Sequence, residues 1–224
     1  MSKNYYSAIK QLRLQKKLSQ SEIAQKMGMP RTSYVSFEQG KRDISLSEAA
    51  ILADVFGISL EELKNGVAPN NEKYKQMILA FLRLDGKITK TKLAKLLYFA
   101  DFGWFYYHLK SMSGMSYRKL AYGPVADAYF RIIDDLFDNG EIDITQTKDG
   151  AMLIAETRSG AKIGLSTLNA EETKLIHDID KKWKGKKTSA IVDFTHKQFP
   201  YLFAQDNDIV SYDVFTQENP DEVF

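Results

Sequence analysis

The sequence predicts a mainly α chain in two parts: a five-helix bundle at the N-terminus, then a larger α-rich domain with a small β element. Three observations predict it. Ser19, Ser45 and Ser59 are each followed three residues later by a glutamate, Glu22, Glu48 and Glu62. Such a pair is a capping box: the hydroxyl accepts from an early backbone N–H, and the carboxylate reaches back to the N–H of the serine. Apolar residues recur at helical spacing through most of the chain. The stretch VAPNN at 67–71 breaks that pattern with a proline and two turn-forming asparagines, and marks the boundary.

The chain has 224 residues, 44% hydrophobic and 27% charged, which is enough apolar material for one or two cores. With no cysteine, disulfides and thiolate metal sites are excluded, and a cytoplasmic home is expected. No run of eighteen apolar residues exists, so no membrane span is expected, and no membrane is among the expected partners. Nor does the stretch from Met1 to Lys10 have the apolar core of a signal peptide. Residues 1–66 hold seven lysines and three arginines against seven acids, a balance of +3; the rest of the chain stands at −1. A small, mildly basic first domain fits a nucleic-acid reader.

Within residues 5–65, Ile23, Ala24 and Met27 form one apolar stripe, and Leu46, Ala49, Leu52, Ala53 and Phe56 another. Asn65 and Gly66 end the last helix. The segment 18–42, LSQSEIAQKMGMPRTSYVSFEQGKR, has the parts of a helix-turn-helix. Ala24 is small where two helices cross. Gly28 is free to take the left-handed conformation that ends one helix and turns the chain. Met29, Tyr34 and Phe37 are placed to pack the second helix on the first. That leaves Arg31, Thr32, Ser33 and Ser36 on the solvent face, where the arginine fork matches guanine and the hydroxyls match bases or phosphates. Gln20, Gln39, Lys41 and Arg42 sit at helix ends, suited to phosphates.

The segment from about 5 to 65 resembles the Cro/C1-type (Xre-like) helix-turn-helix family. The resemblance is carried by Leu18-Ser19-Gln20, Ile23-Ala24, Gly28 and Phe37-Glu38-Gln39-Gly40-Lys41-Arg42. It implies a recognition helix over 30–39, binding to operator DNA as a homodimer, and a structural pair between Arg13 and Glu38. The sequence departs from the family at Pro30, where a capping serine or threonine is usual. Proline suits a first helical turn but supplies no capping oxygen.

Beyond residue 71, Tyr74, Met77, Ile78, Phe81 and Leu82 define a helix stopped by Asp85-Gly86. Thr89 caps a long aromatic helix with Leu93, Leu96, Leu97, Ala100 and Trp104 on one side and Tyr98, Asp101 and Phe105 beside them. A strand is expected over 117–122, then a Gly123-Pro124 turn, then a helix carrying Val125, Tyr129, Ile132, Ile133 and Leu136. Ile142 and Ile144, with Met152 and Ile154, suggest a β element around a turn at 148–150. Asn169 and Glu172 open a helix through Trp183, a basic run from Lys181 to Lys187 follows it, and another helix spans 189–197.

Catalytic signals are missing. His108, His177 and His196 lie at no metal-ligand spacing; phosphate loops and nucleophile elbows are absent. Asp134, Asp135, Asp138, Glu141 and Asp143 read as a solvated acidic face. Neither an enzyme nor a cofactor is expected. Aromatic density at 98–107 is the unusual feature, since Phe105, Tyr106 and Tyr107 are consecutive and do not all face one core. Surface aromatics favour protein interfaces.

Residues 72–224 resemble the SocA-like antitoxin (Panacea) domain. Lys92 to Asp101 (KLAKLLYFAD), then Tyr122-Gly123-Pro124-Val125 with Tyr129, carry the resemblance; Thr195-His196 and 209–212 fit more loosely. It implies a domain that binds and neutralises a toxin, and the fused helix-turn-helix implies control of its own operon. Asp101, Phe105, Tyr106, Tyr122 and Tyr129 are the candidate toxin contacts, with Gly123 and Pro124 in the same site fixing the backbone of the turn. The alternative is a phage or mobile-element repressor whose second half dimerises or senses a signal.

Overall fold

The structure, a computed structural model, describes residues 3–56, 60, 63 and 69–224. It divides into two compact units, 1–69 and 70–224. The third capping box, Ser59 with Glu62, and the residues Asn65 to Ala68 lie outside the described residues.

The described part of the first unit holds α1 (Lys3–Gln15), α2 (Gln20–Lys26), α3 (Arg31–Glu38) and α4 (Leu46–Phe56). Both bonds of the Ser19 box are formed, at 3.1 Å to the Glu22 N–H and 2.7 Å back from the Ser19 N–H. The Ser45–Glu48 box ahead of α4 forms likewise, at 3.2 and 2.8 Å. Gly28, at φ +65°, turns the chain after α2, and the Met29 N–H closes on the Ala24 carbonyl at 3.0 Å. Ile9, Leu12, Ile23, Tyr34, Phe37, Leu52 and Phe56 are buried together. Pro30 stands at the N-cap of α3 in extended conformation, with no side-chain cap bond.

The second unit begins with Asn70, whose side chain caps α5 (Asn71–Asp85) through the Lys73 N–H at 2.9 Å. Next come β1 (Lys87–Thr89) and α6 (Lys90–His108), capped by Thr89. Every residue from Lys92 to Gly103 is buried, so α6 is surrounded on all sides. A hairpin of β2 (Tyr117–Leu120) and β3 (Gly123–Ala126) replaces the expected single strand. Its turn is Ala121-Tyr122, so Gly123 and Pro124 lie in a strand and Val125 is not helical. There follow α7 (Tyr129–Asp138), β4 (Ile142–Gln146), β5 (Met152–Glu156), a 3-10 turn at Gly160–Lys162, α8 (Ala170–Trp183), α9 (Thr188–Thr195), α10 (Phe199–Phe203), α11 (Tyr212–Phe215) and a 3-10 turn at Pro220–Glu222. The Asn169–Glu172 box opens α8. Strands run antiparallel in the order β1-β5-β4. The hairpin β4–β5 was legible in the alternation; β1, three residues long, carries too short a pattern to be read.

Around α6 pack α5, α8, α9, α11 and β3. Phe102 stacks on Tyr212 at 4.0 Å, Tyr98 meets Phe102 at 4.3 Å, and Phe99 stacks on Trp183 at 5.5 Å. This ring cluster takes up three of the seven aromatic residues of α6.

Candidate functional site

In the first unit the site is the outer face of α3. Tyr34 and Phe37 point inward and are closed to water. That periodicity turns Arg31 and Thr32 out to solvent and leaves Ser33 and Ser36 partly exposed, while Gln39 and Lys41 are exposed just past the helix.

Beneath this face runs a chain of hydrogen bonds. The Arg13 guanidinium holds Glu38 with both prongs, Nε to Oε1 at 2.6 Å and Nη2 to Oε2 at 3.2 Å, and both side chains are buried. Its Nη1 donates to the Leu18 carbonyl at 3.0 Å. Although burial alone would raise it, the Glu38 carboxyl is held below its ordinary value by Arg13 and Gln20. Gln20 donates from Nε2 to Glu38 Oε2 at 2.7 Å and accepts from Arg31 Nη2 at 3.2 Å. Both ends of its amide are thus engaged inside the protein, and Gln20 orients Arg31 in this state. Arg42 is likewise occupied, donating to the capping carboxylate of Glu48 at 2.7 Å. Among the suggested phosphate ligands, only Gln39 and Lys41 stand fully exposed with no bond of these kinds.

In the second unit the seven candidate site residues separate. Tyr122 is 71% exposed at the hairpin tip. Phe105 and Tyr106 lie about 16 Å further along α6 than Ala94, by helical rise, at the other end of the helix. They are half-buried: Phe105 packs on Tyr212 at 5.2 Å, and the Tyr106 hydroxyl donates to the Glu218 carbonyl at 3.3 Å. Tyr107 is the exposed ring of that end, at 56%. Trp104 is half-buried and stacks on His108 at 3.8 Å.

Asp101, Gly123, Pro124 and Tyr129 are interior, which corrects their expected place on a contact surface. Asp101 accepts from the Ser113 N–H at 2.6 Å, the Ser113 hydroxyl at 2.5 Å and the Tyr117 hydroxyl at 2.8 Å, and so ties α6 to the loop and hairpin that follow. Tyr129 donates to the Lys90 carbonyl at 2.6 Å. Lys95, which spacing alone gave no reason to single out, is wholly buried and donates to the Pro124 carbonyl at 2.7 Å. Gly123 lies against that lysine.

Burial drives Lys95 and Asp101 of α6 toward neutrality. It pulls the Lys95 amine down to about 7 from 10.5, and pushes the Asp101 carboxyl up to about 6 from 3.8, against the pull of its three donors. The Lys95 contribution to stability is therefore complete above its unfolded value and lost as pH falls through about 7. The Asp101 contribution is complete below pH 3.8 and lost as pH rises through about 6. The two together place a trough of stability between about 6 and 7, where both are charged. Urea unfolding from pH 4 to 10 measures it. Lys95→Met removes the recovery on the alkaline side and Asp101→Asn the recovery on the acid side; a wild-type profile without a trough contradicts this account.

Among the described residues no group of three or more His, Asp or Glu could hold a metal ion, and no helix is long and apolar enough to cross a membrane. The two units thus present a helix-turn-helix with an open reading face and an α-rich domain built around a buried helix. Residues 9–63 match the helix-turn-helix family, and residues 93–200 match the antitoxin SocA-like, Panacea domain. The chain belongs to both: a Cro/C1-type helix-turn-helix fused to a SocA-like Panacea domain. It is 30% identical over 82 residues to the cryptic phage CTXphi transcriptional repressor RstR of Vibrio cholerae, a stretch covering 36% of this chain and 74% of that protein. No solved structure matches the chain. Neither family is enzymatic, and together they define a DNA-binding regulator of antitoxin type.

Proposed function

We propose that this chain is the antitoxin of a toxin–antitoxin pair, which neutralises its toxin by direct binding and represses its own operon through the first unit. The observation that carries this reading is the union in one chain of an open α3 face and a SocA-like domain. The protein acts as a homodimer on a two-fold operator, with half-sites about one helical turn apart. The domains divide at 67–71, and the whole works in the cytoplasm. Arg31 reads a base, Thr32, Ser33 and Ser36 contact bases or phosphates, and Lys41 and Gln39 take phosphates. Tyr122 is the leading toxin contact, because it is the one candidate standing free on the surface.

Two measurements test it. In gel shifts, Arg31→Ala costs about 1–3 kcal/mol on the operator, whereas Lys41→Ala weakens all sequences alike and lowers the salt slope by about one. In growth rescue against the product of the adjoining gene, Tyr122→Ala keeps its melting temperature and loses rescue, by roughly 2 kcal/mol or more of toxin affinity. Phe105→Ala and Tyr106→Ala are melted and scored beside it. If all three stay folded and still rescue growth, the proposed toxin surface is wrong. If the adjoining gene is not toxic, the second reading takes over: a repressor, like the RstR relative by name, whose second unit dimerises or senses a signal.

A further inference from the structure

A cavity of about 590 Å³ opens in the second unit where the start of α6, the β2–β3 hairpin, the first turn of α7 and the β4–β5 turn meet. That volume is in the range of small-ligand sites, roughly 300–1,000 Å³. Its apolar lining includes Ala94, Leu120, Val125 and Tyr129, with Tyr122, Phe130 and Met152 at the lip. Those last three are 71%, 48% and 39% exposed, an apolar ring left open to water.

The polar groups of the lining are unevenly placed. Thr89, Lys90, Thr91 and Lys95 come from the cap and first two turns of α6, and Thr188 joins them from α9. Neither lysine is paired with a carboxylate among the described residues. Lys90 lies over the Phe130 ring at 5.1 Å, and the buried Lys95 bonds the Pro124 carbonyl. One acid, Asp149, joins the lining from the β4–β5 turn, where a bond from Thr147 helps hold it ionised. So two lysines and the positive end of a 19-residue helix line the cavity against a single acid.

We infer that this cavity is a binding site for a small amphiphilic acid, with its carboxylate toward Lys90, Thr91 and Lys95 and its body against the apolar lining. The buried amine fits this assignment. Burial pulls its pKa down to about 7, so it is only partly protonated near neutral pH, and a carboxylate close by supplies the counter-charge that keeps it protonated. An ammonium head is disfavoured, because two lysines and a helix N-terminus outweigh the single acid, Asp149. The inference is independent of toxin neutralisation. It needs neither toxin nor operator, and it stands or falls on the purified full-length chain.

The probes are 4-phenylbutyrate and hexanoate, with 4-phenylbutanamide and hexylamine as controls, read by thermal shift and calorimetry. Saturable, one-to-one stabilisation by the acids, with at least tenfold weaker binding of the amide and amine, is expected. Ala151→Trp, a half-exposed turn position at the mouth, is expected to abolish the shift while the chain still melts cooperatively. Lys90→Met is expected to weaken the acids several-fold and leave the amide unchanged. No saturable shift with either acid, equal binding of acid and amide, or undiminished binding by Ala151→Trp each overturns the assignment.

Discussion

Replacing Arg13 with alanine is expected to cost the first unit about 3–5 kcal/mol, the penalty for leaving one member of a buried ion pair alone. Glu38 would keep Gln20 and the longer contact from the Tyr34 hydroxyl at 3.4 Å, but both of its charge-assisted bonds would be gone. The Leu18 carbonyl loses its donor in the same step. Removing both charges, with Arg13→Met and Glu38→Leu, is expected to return much of the loss, because no buried charge then stands unpaired. Both tryptophans, Trp104 and Trp183, lie in the second unit, so their fluorescence does not report on this change. Hydrogen exchange of the α2 and α3 amides in the full-length chain does. Equal exchange rates in wild type and Arg13→Ala would show that the pair adds nothing to stability.

The same ion pair shows how far local pattern carries. Arg13 and Glu38 are 25 residues apart, yet the family resemblance paired them, and the structure places them 2.6 Å from each other. The Ser19 and Ser45 boxes needed only neighbours three residues away, which is why their spacing was sufficient. The reading face of α3 followed from the inward period of Tyr34 and Phe37. What spacing did not disclose was that Gln20 and Arg42 are already committed to Glu38 and Glu48, since a side chain's partner depends on the fold and not on its own helix.

In the second unit the limit is sharper. A helix with polar residues at Lys92, Lys95 and Asp101 reads as amphipathic, but α6 is buried on every side over those positions. Each polar group finds its partner outside the helix, Asp101 in Ser113 and Tyr117, Lys95 in Pro124, and Lys92 in Asp85. An aspartate on an aromatic helix resembles a contact residue until those partners are seen. Tyr129 misleads in the same way, because its hydroxyl is spent on the Lys90 carbonyl. The cavity was illegible for a related reason: its lining comes from several elements spread between residues 89 and 188.

Gly123 connects these buried groups, and Gly123→Ala is expected to cost about 2–5 kcal/mol. Two penalties add. At φ +95° an L side chain is strained, by about 1–2 kcal/mol for a left-handed residue. An added Cβ would also stand 2.7 Å from Thr195 Oγ1 and 2.9 Å from Lys95 Cε, and overpacking of that kind costs about 1–3 kcal/mol. Nothing nearby yields easily, because Lys95 is held by the Pro124 carbonyl and Thr195 Oγ1 donates to the Val192 carbonyl at 2.8 Å. Gly185 is the control. Its φ is +73°, but no atom lies within 4 Å of its would-be Cβ, so Gly185→Ala carries the strain without the clash. Thr195→Ala in the Gly123→Ala background removes the nearer obstacle and is expected to restore part of the loss, leaving the strain and the Lys95 contact. Urea unfolding followed by Trp183 fluorescence reads all four proteins, since Trp183 packs on Phe99 of α6. If Gly123→Ala costs no more than Gly185→Ala, the β3 strand is not wedged against Lys95 and Thr195, and the Gly-Pro pair is a matter of backbone conformation alone.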